Sequence, residues 1–401
     1  MDVVSQIRKY NAGREPERLA LKYKKMFGDA FSFLRGSCHL FHDRLPTDGV
    51  FASAPAAWAC GDLHLENFGS YKADNRGVQF DINDFDEAAL APASWDLARL
   101  LTSLRVGAAG LGIDAAESAA LCGALLDGYV AALAAGKAGW IDRDAADGQV
   151  RLLLDALRNR KRADYIGKRT DSVDGHLRLR ADASSDKARP ATNTQRATVA
   201  AFMEQFAASQ PDPAFFKLLD VARRVAGTGS LGIERYVLLV RGKGGGAEGA
   251  YLLDFKHARP SSLLPHLTLA QPAWESEAHR IVALQRRMQA ASMAFLQPVQ
   301  FGDQPFVLRA LQPSEDRVTL DRRAQSKADL RKTIVTLGRL LAWAQLRSSG
   351  RQGSATADAL IDWAQPGHWQ PEMLAASERL AAQVRDDSAT FDAAYRDGAF
   401  A

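Results

Sequence analysis

Hydrophobic residues recur at helical spacing toward both ends of the chain and collapse into short alternating runs between them. Residues 1–45 read as helical, with a turn near Gly28-Asp29 and a second break at Arg35-Gly36. The apolar run AWAC (57–60) stops at Gly61 as a buried strand would, and Val78, Phe80 and Ile82 share one face of a second short strand. From Ser94 to about Arg160, Ala and Leu return at helical spacing. Residues 158–198 then change character: RNRKRADYIGKR gives way to a Ser, Thr, Asp and Pro-rich stretch, a loop or ordered excursion. The plain reading of its basic run is a solvated charged face, and the sharper one is a patch that meets phosphate.

A second region opens near Phe216. A Gly-rich turn follows Val225, Tyr236–Val240 is a strong strand, and GKGGGAEG (242–249) links it to a returning strand from Tyr251 to Lys256. A helix over Trp274–Phe295, a strand over Phe306–Leu311 and an amphipathic helix over 328–347 come next, before a helical tail with polar breaks. No internal repeat is found, and the mixture predicts an α+β fold.

Composition narrows the class. The chain has 401 residues, 47% hydrophobic and 24% charged, an ordinary globular balance that excludes disorder, collagen and coiled coil as the main architecture. Its length suits two or three domains. Lys and Arg number 51 against 47 Asp and Glu, a net charge of +4, which argues against dedicated nucleic-acid binding. Cys38, Cys60 and Cys122 are odd in number and widely spaced, matching neither a disulfide framework nor a zinc site and favouring a reducing compartment. The charged N-terminus has no signal-peptide core. No uninterrupted apolar run reaches the roughly 18 residues of a spanning helix; Val106–Ala135 comes closest but is broken by Asp114, Glu117 and Asp127, and reads as packed helices. The expected location is cytoplasmic, with no membrane partner.

Three clusters carry chemistry. In Gly61-Asp62-Leu63-His64-Leu65-Glu66-Asn67, an Asp precedes an Asn by five positions, the spacing of phosphoryl-transfer loops in which the Asp orients the attacking hydroxyl and the Asn reaches a metal. His64 is a candidate base or metal ligand there, though a histidine that fixes the loop by hydrogen bonds is the favoured reading. The second cluster, Asp81-Ile82-Asn83-Asp84-Phe85-Asp86-Glu87, places four carboxylates in seven residues, costly to bury together without a divalent cation such as Mg²⁺. The alternative is an acidic turn. The third is Gly227-Thr228-Gly229-Ser230-Leu231-Gly232. A strand rather than a helix follows it, which disfavours a dinucleotide fingerprint and favours a flap laid over nucleotide phosphates. Lys256 ends the returning strand where a phosphate-binding lysine would sit, and Glu275 or Glu277 on the next helix could pair with it. Glu234 stands where such a loop usually has Val.

Across nearly its whole length the sequence resembles the bacterial domain-of-unknown-function family 2252, through KYKKMFGDAFSFLRGS (22–37), CGDLHLENFGSY (60–71), FDINDFDEAALAPASWDLARLLTS (80–103), VAGTGSLGIERYVLLV (225–240), LDFKHARPSSLL (253–264) and HRIVALQRRMQAAS (279–292). The elements GDLHLENFG and NDFDEA…WDLARL are similar to the HGDxHxxN catalytic loop, the metal-aspartate motif and the later DLA helix of aminoglycoside and choline kinases. The resemblance implies a protein-kinase-like two-lobe fold in which Asp62 is the catalytic Asp, Asn67 and Asp84 hold metal and Asp96 is structural; the acidic cluster offers Asp81 or Asp86 as a further metal ligand. Cys60 stands where those kinases have their first His.

The order of parts departs from those kinases, because the catalytic loop precedes the glycine loop. A circular permutation accounts for this: a catalytic-loop and helical lobe in 1–215, a nucleotide-binding β lobe with the glycine loop in 216–315, and helices returning to the first lobe in 316–401. The expectation is a Mg²⁺- and ATP-dependent phosphotransferase acting on a small-molecule hydroxyl. Gly227, Gly229, Ser230, Gly232 and Lys256 would hold the nucleotide. The acceptor would lie over the helices after Leu97, within reach of the basic 158–169 segment. The rivals are AMP transfer on the same site, a non-catalytic ATP sensor and, more remotely, a metal hydrolase.

Overall fold

The computed structural model describes residues 2–244, 246–365, 367 and 369–400. Its first helices begin at capping residues. Asp2 accepts from the Val4 and Ser5 amides to start α1 (Val3–Asn11), and Pro16 opens α2 (Pro16–Met26) at a position where its missing N–H costs nothing. Gly28, at φ +79°, ends that helix and Asp29 caps α3 (Ala30–Gly36), which places the expected turn at Gly28-Asp29. After a break at Ser37 come α4 (Cys38–Asp43) and α5 (Gly49–Ser53).

Two small sheets follow. β1 (Ala56–Ala59) pairs antiparallel with β4 (Ala89–Pro92), and between them β2 (Phe68–Lys72) and β3 (Val78–Ile82) form a hairpin. The helical stretch after Ser94 resolves into α6 (Ser94–Leu111), α7 (Ala115–Ala134) and α8 (Gly148–Asn159). By length and composition α7 could cross a membrane, yet 56% of that stretch is buried inside the protein, largely against a later helix.

The 158–198 segment is an ordered excursion. It contains α9 (Arg162–Gly167), a hairpin of β5 (Thr170–Val173) and β6 (His176–Leu179), the short strand β7 (Ala188–Pro190), and the start of α10 (Asn193–Ala208), opened by a reciprocal Thr192–Gln195 capping box. β8 (Leu218–Arg224), β9 (Arg235–Val240), a single turn α11 (Gly246–Gly249) and β10 (Tyr251–His257) come next. α12 (Glu277–Met288), β11 (Gln297–Phe301) and β12 (Gln304–Ala310) complete the β-rich part. The chain ends with α13 (Lys327–Ser348), α14 (Ala357–Trp363) and α15 (Trp369–Arg396).

Six strands make one antiparallel sheet in the order β11-β12-β10-β9-β8-β7. The sheet thus draws its edge strand and covering helix α10 from residues before 216. Strand alternation gives it two different faces. Leu238, Leu253, Phe255, Phe306 and Leu308 pack with α10 through Phe202 and Phe206. The opposite face carries Ala222, Val237 and Leu252 against α9 and β6, but turns polar along each strand at Arg224, Arg235, Asp254, Lys256 and Arg309. There Asp254, 1% exposed, meets Arg235 at 2.5 Å, Arg224 at 2.9 Å and Arg309 at 3.6 Å. Burial pushes its pKa up, but Arg224 and Arg235 outweigh that and hold it far below the carboxylate range.

The helical part is organised by the contact of α7 with α13. Glycines set its closeness: a methyl group on Gly128 would stand 2.7 Å from the Val335 carbonyl oxygen, and one on Gly338 would overlap that of Leu125. α15 packs along α6 and touches α1 and α3, joining the two ends of the chain.

Seven strands escape the sequence pattern (β2, β4, β8, β11 and, within the 158–198 excursion, β5, β6 and β7), and α12 is shorter than the expected 274–295 helix. Ser276 caps it and Gln289 leaves the helix, after which Phe295 adopts a left-handed backbone with φ +62°.

Buried histidines on α4 give the fold a pH dependence. His39 stacks on Tyr10 with ring centroids 4.0 Å apart, and neither ring nitrogen has a hydrogen-bond partner. Burial, reinforced by the nearby Lys22 and Arg14, holds its pKa down at about 3, and burial likewise holds His42 well below its ordinary value. The unfolded chain binds these protons near pH 6.5 and the folded chain does not, so their contribution is complete above that pH and is lost progressively as pH falls toward 3. Each such histidine costs at most about 1.4 kcal/mol per pH unit. Urea midpoints should therefore fall between pH 7 and pH 5, and His39→Phe should flatten the slope; an unchanged slope would exclude His39 as its source.

Candidate functional site

The 60–67 loop is held by α6. Asp96, in the first turn of that helix and 1% exposed, accepts from the Cys60 amide at 2.7 Å and the Gly61 amide at 2.9 Å. Gly61 takes φ +83°, and any side chain there would collide with the Glu87 carbonyl. The turn delivers Asp62 to a cavity. One helical turn after Asp96, Arg99 is fully buried and donates through Nε to Asp62 Oδ1 at 2.9 Å, with a second nitrogen on the same oxygen. Arg99 is also held by the Leu34 carbonyl at 2.9 Å and lies over the Phe41 ring. Burial raises the Asp62 pKa to about 6 against the opposing pull of Arg99.

Asn67 closes the loop, its Nδ2 donating to the Asp62 carbonyl at 2.5 Å while its own carbonyl accepts from the Asn83 amide at 3.0 Å. His64 Nδ1 accepts from the Glu66 amide at 3.2 Å, capping the turn at Leu65–Asn67. Burial keeps its ring well below the ordinary histidine pKa. It lines the cavity wall, with Nδ1 committed to holding the loop.

The acidic cluster is pulled apart by the fold. Asp81, 1% exposed, turns inward to Arg347 at 3.1 Å and to the Ile82 and Ala290 amides at 2.9 Å. It does not line the cavity, so its expected place among metal ligands is corrected: it holds β3 to α13. Asp86 pairs with Lys256, and Glu87 accepts from Tyr10 at 3.2 Å and from the Ser262 amide. Asp84 lines the cavity with no ion pair among the described residues. Among those residues no group of three or more His, Cys, Asp and Glu side chains is arranged to hold a metal ion. Asn67 and Asp84 still offer the hard oxygen donors that suit Mg²⁺, an ion that takes one or two carboxylates and completes its shell with water and phosphate.

The glycine loop meets these parts across the cavity. Gly227 and Gly232 have φ +73° and +86°, Gly229 and Ser230 line the wall, and Ser230 Oγ accepts from Lys256 Nζ at 2.7 Å. Burial lowers the Lys256 pKa to about 8. The partner expected for this lysine is wrong. Glu275 is 82% exposed and faces His279, and Glu277 pairs with Arg280 at 2.6 Å. Asp86 takes the role instead, and the first turn of α12 is spent on Arg280. That arginine in turn holds the carbonyls of Asp86, Ala88 and Arg259.

Asp62, Asn67, Asp84, Gly227, Gly229 and Ser230 thus line one cavity of about 190 Å³. A larger one of about 570 Å³ shares Arg35, Gly227, Thr228 and Arg317 with it, and has Val225, Val237, Leu252 and Leu311 in its walls. Sequence reading missed Arg99, Arg14, Arg35 and Arg317. Only Arg99 carried a local signal, being three residues from Asp96 and so on the same helix face.

The Asp96 clamp predicts a large effect from a small change. Asp96→Ala would leave two buried amides unpaired, and each such group costs about 1–3 kcal/mol. Urea denaturation should show a loss of that order, with Asp96→Asn intermediate; a loss below about 1 kcal/mol would mean that the turn does not depend on the carboxylate.

No curated protein and no solved structure matches the chain. A family model described as an uncharacterized protein conserved in bacteria (DUF2252) matches residues 14–394. That span contains the Asp62 loop, the split acidic cluster, the glycine loop and Lys256, and with it the chain belongs to the DUF2252 family.

Proposed function

We propose that this protein is a Mg²⁺- and ATP-dependent phosphotransferase acting on a hydroxyl, with a kinase-like two-lobe architecture permuted in sequence. The observation that carries the reading is convergence: segments 60–67, 81–87 and 227–256, far apart in the chain, line or adjoin one cavity. A glycine turn between antiparallel strands, a buried lysine on the next strand, and an Asp and Asn on an opposing loop are the parts that phosphoryl transfer needs. The permutation is supported by the contact of Lys256 with Asp86, two residues from Asp84, and by α13, which packs under β1 and β3 although it lies near the end of the chain.

In this reading the apolar wall of the larger cavity takes the nucleoside, with its phosphates toward Gly227 and Thr228. Backbone of 227–232 and Lys256 hold the phosphate oxygens. Asn67 and Asp84 would hold Mg²⁺, which neutralises phosphate charge when bound. Asp62, oriented by Arg99, accepts the proton of the acceptor hydroxyl as its oxygen bonds to the γ-phosphorus and the bridging bond to ADP breaks. Catalysis is then mainly positioning and charge compensation.

Calorimetric titration of ATP, with and without Mg²⁺, tests this. Binding should require Mg²⁺ and weaken by about tenfold or more in Asp84→Asn, the loss of one charge-assisted contact. Asp81→Asn should leave ATP affinity nearly unchanged while lowering the unfolding midpoint. Absence of ATP binding in every condition would remove the reading, and mass spectrometry showing adenylate on a product would turn it into nucleotidyl transfer.

A further inference from the structure

Part of the small cavity's polar lining is not shared with the larger cavity: Tyr10, Arg14, Glu87 and Arg259 line the small one and not the larger. Glu87 is already committed to the Tyr10 hydroxyl and the Ser262 amide, and Asp86 to Lys256. The cations are not. Arg14 is 6% exposed; its Nη1 donates to the Gly229 and Leu231 carbonyls at 2.6 and 2.9 Å, but its buried Nε has no partner. Neither Arg14 nor Arg259 has an ion pair among the described residues, although the chain as a whole carries nearly as many acids as bases.

A buried guanidinium without an anion is unfavourable, and native proteins satisfy nearly all such groups. Burial lowers the Arg14 pKa and the nearby Arg259 adds to this, together outweighing the opposing pull of Tyr10 and Glu87. A bound anion would oppose both effects by favouring the charged guanidinium. Guanidinium groups present planar, paired donors matched to carboxylate and phosphate oxygens. We infer that Arg14 and Arg259 form an anion site beside Asp62, and that the acceptor is a small hydroxyl compound bearing a phosphate or carboxylate group. The anionic group docks on the two arginines and its hydroxyl faces Asp62. The acceptor role rests on the phosphotransferase reading; the anion site does not.

Titration of inorganic phosphate into the full-length protein tests the site, first alone and then with Mg²⁺ and a non-hydrolysable ATP analogue. Phosphate should bind in both conditions, and Arg259→Ala should weaken it by about tenfold or more. Arg14→Gln should do the same but also removes two bonds to the glycine loop, so Arg259→Ala is the decisive variant. No phosphate binding, binding indifferent to Arg259→Ala, or full displacement of phosphate by the analogue would overturn the inference. Arg259-dependent phosphate binding without any binding of the analogue would uphold the anion site and overturn the phosphotransferase reading.

Discussion

A carboxylate and a guanidinium one turn apart on α6 hold the rest of the site in place. Asp96 fixes the backbone of the Cys60-Gly61 turn, and Arg99 fixes the side chain that the turn delivers. Both are buried, so neither is stable without its partner. The helix can carry them only because its other positions, among them Leu97, Leu100, Leu101 and Leu104, are anchored in the main core. Rigidity at Asp62 is therefore inherited from apolar packing, and Asp62 itself contributes little to it.

The sheet is tied to this loop by polar contacts. Lys256 reaches from β10 to Asp86, Arg309 from β12 to the Asn83 carbonyl at 3.2 Å, and Arg280 from α12 to the carbonyls of Asp86 and Ala88. All three converge on the segment after β3, which α13 holds from behind through Arg347 and Asp81. The 83–88 segment is thus the shared boundary of the β-rich and helical parts. An acidic turn there repels itself less because its carboxylates point in different directions: Asp81 to Arg347, Asp86 to Lys256, and Glu87 to the Tyr10 hydroxyl and the Ser262 amide.

Much of this was legible in the residues. Gly28-Asp29, AWAC, Val78–Ile82 and the strands flanking 242–249 announce their elements because local turn chemistry and alternation agree with the tertiary outcome. β8 did not, since Leu218–Arg224 mixes Asp220 and two arginines into a strand whose charges are satisfied by partners distant in sequence, among them Arg196, Glu15 and Asp254. The loops of the site were visible as motifs, while its pairings were not. Asp86 and Lys256 lie 170 residues apart, and no periodicity encodes which of four neighbouring carboxylates will face a lysine on another sheet. Glu277 looked suitable by chain order, but a helix start capped by Ser276 directs its first turn to its own Arg280.

The small net charge conceals a selective pairing. Asp62 has Arg99, Asp81 has Arg347, Asp86 has Lys256, Asp254 has Arg224 and Arg235, and Asp316 has Arg160. What remains without an ion pair around the cavity, among the described residues, is two carboxylates, Asp84 and the Tyr10- and Ser262-bonded Glu87, and the guanidinium groups of Arg14, Arg259 and Arg317. Folding alone would favour cancelling these as well, since unpaired charge near a low-dielectric wall is unfavourable. Their persistence in the place where three distant segments meet puts a free negative oxygen on one side of Asp62 and free guanidinium donors around it. A cation and anions brought together at that point would complete the pairing that the protein's own side chains leave unfinished.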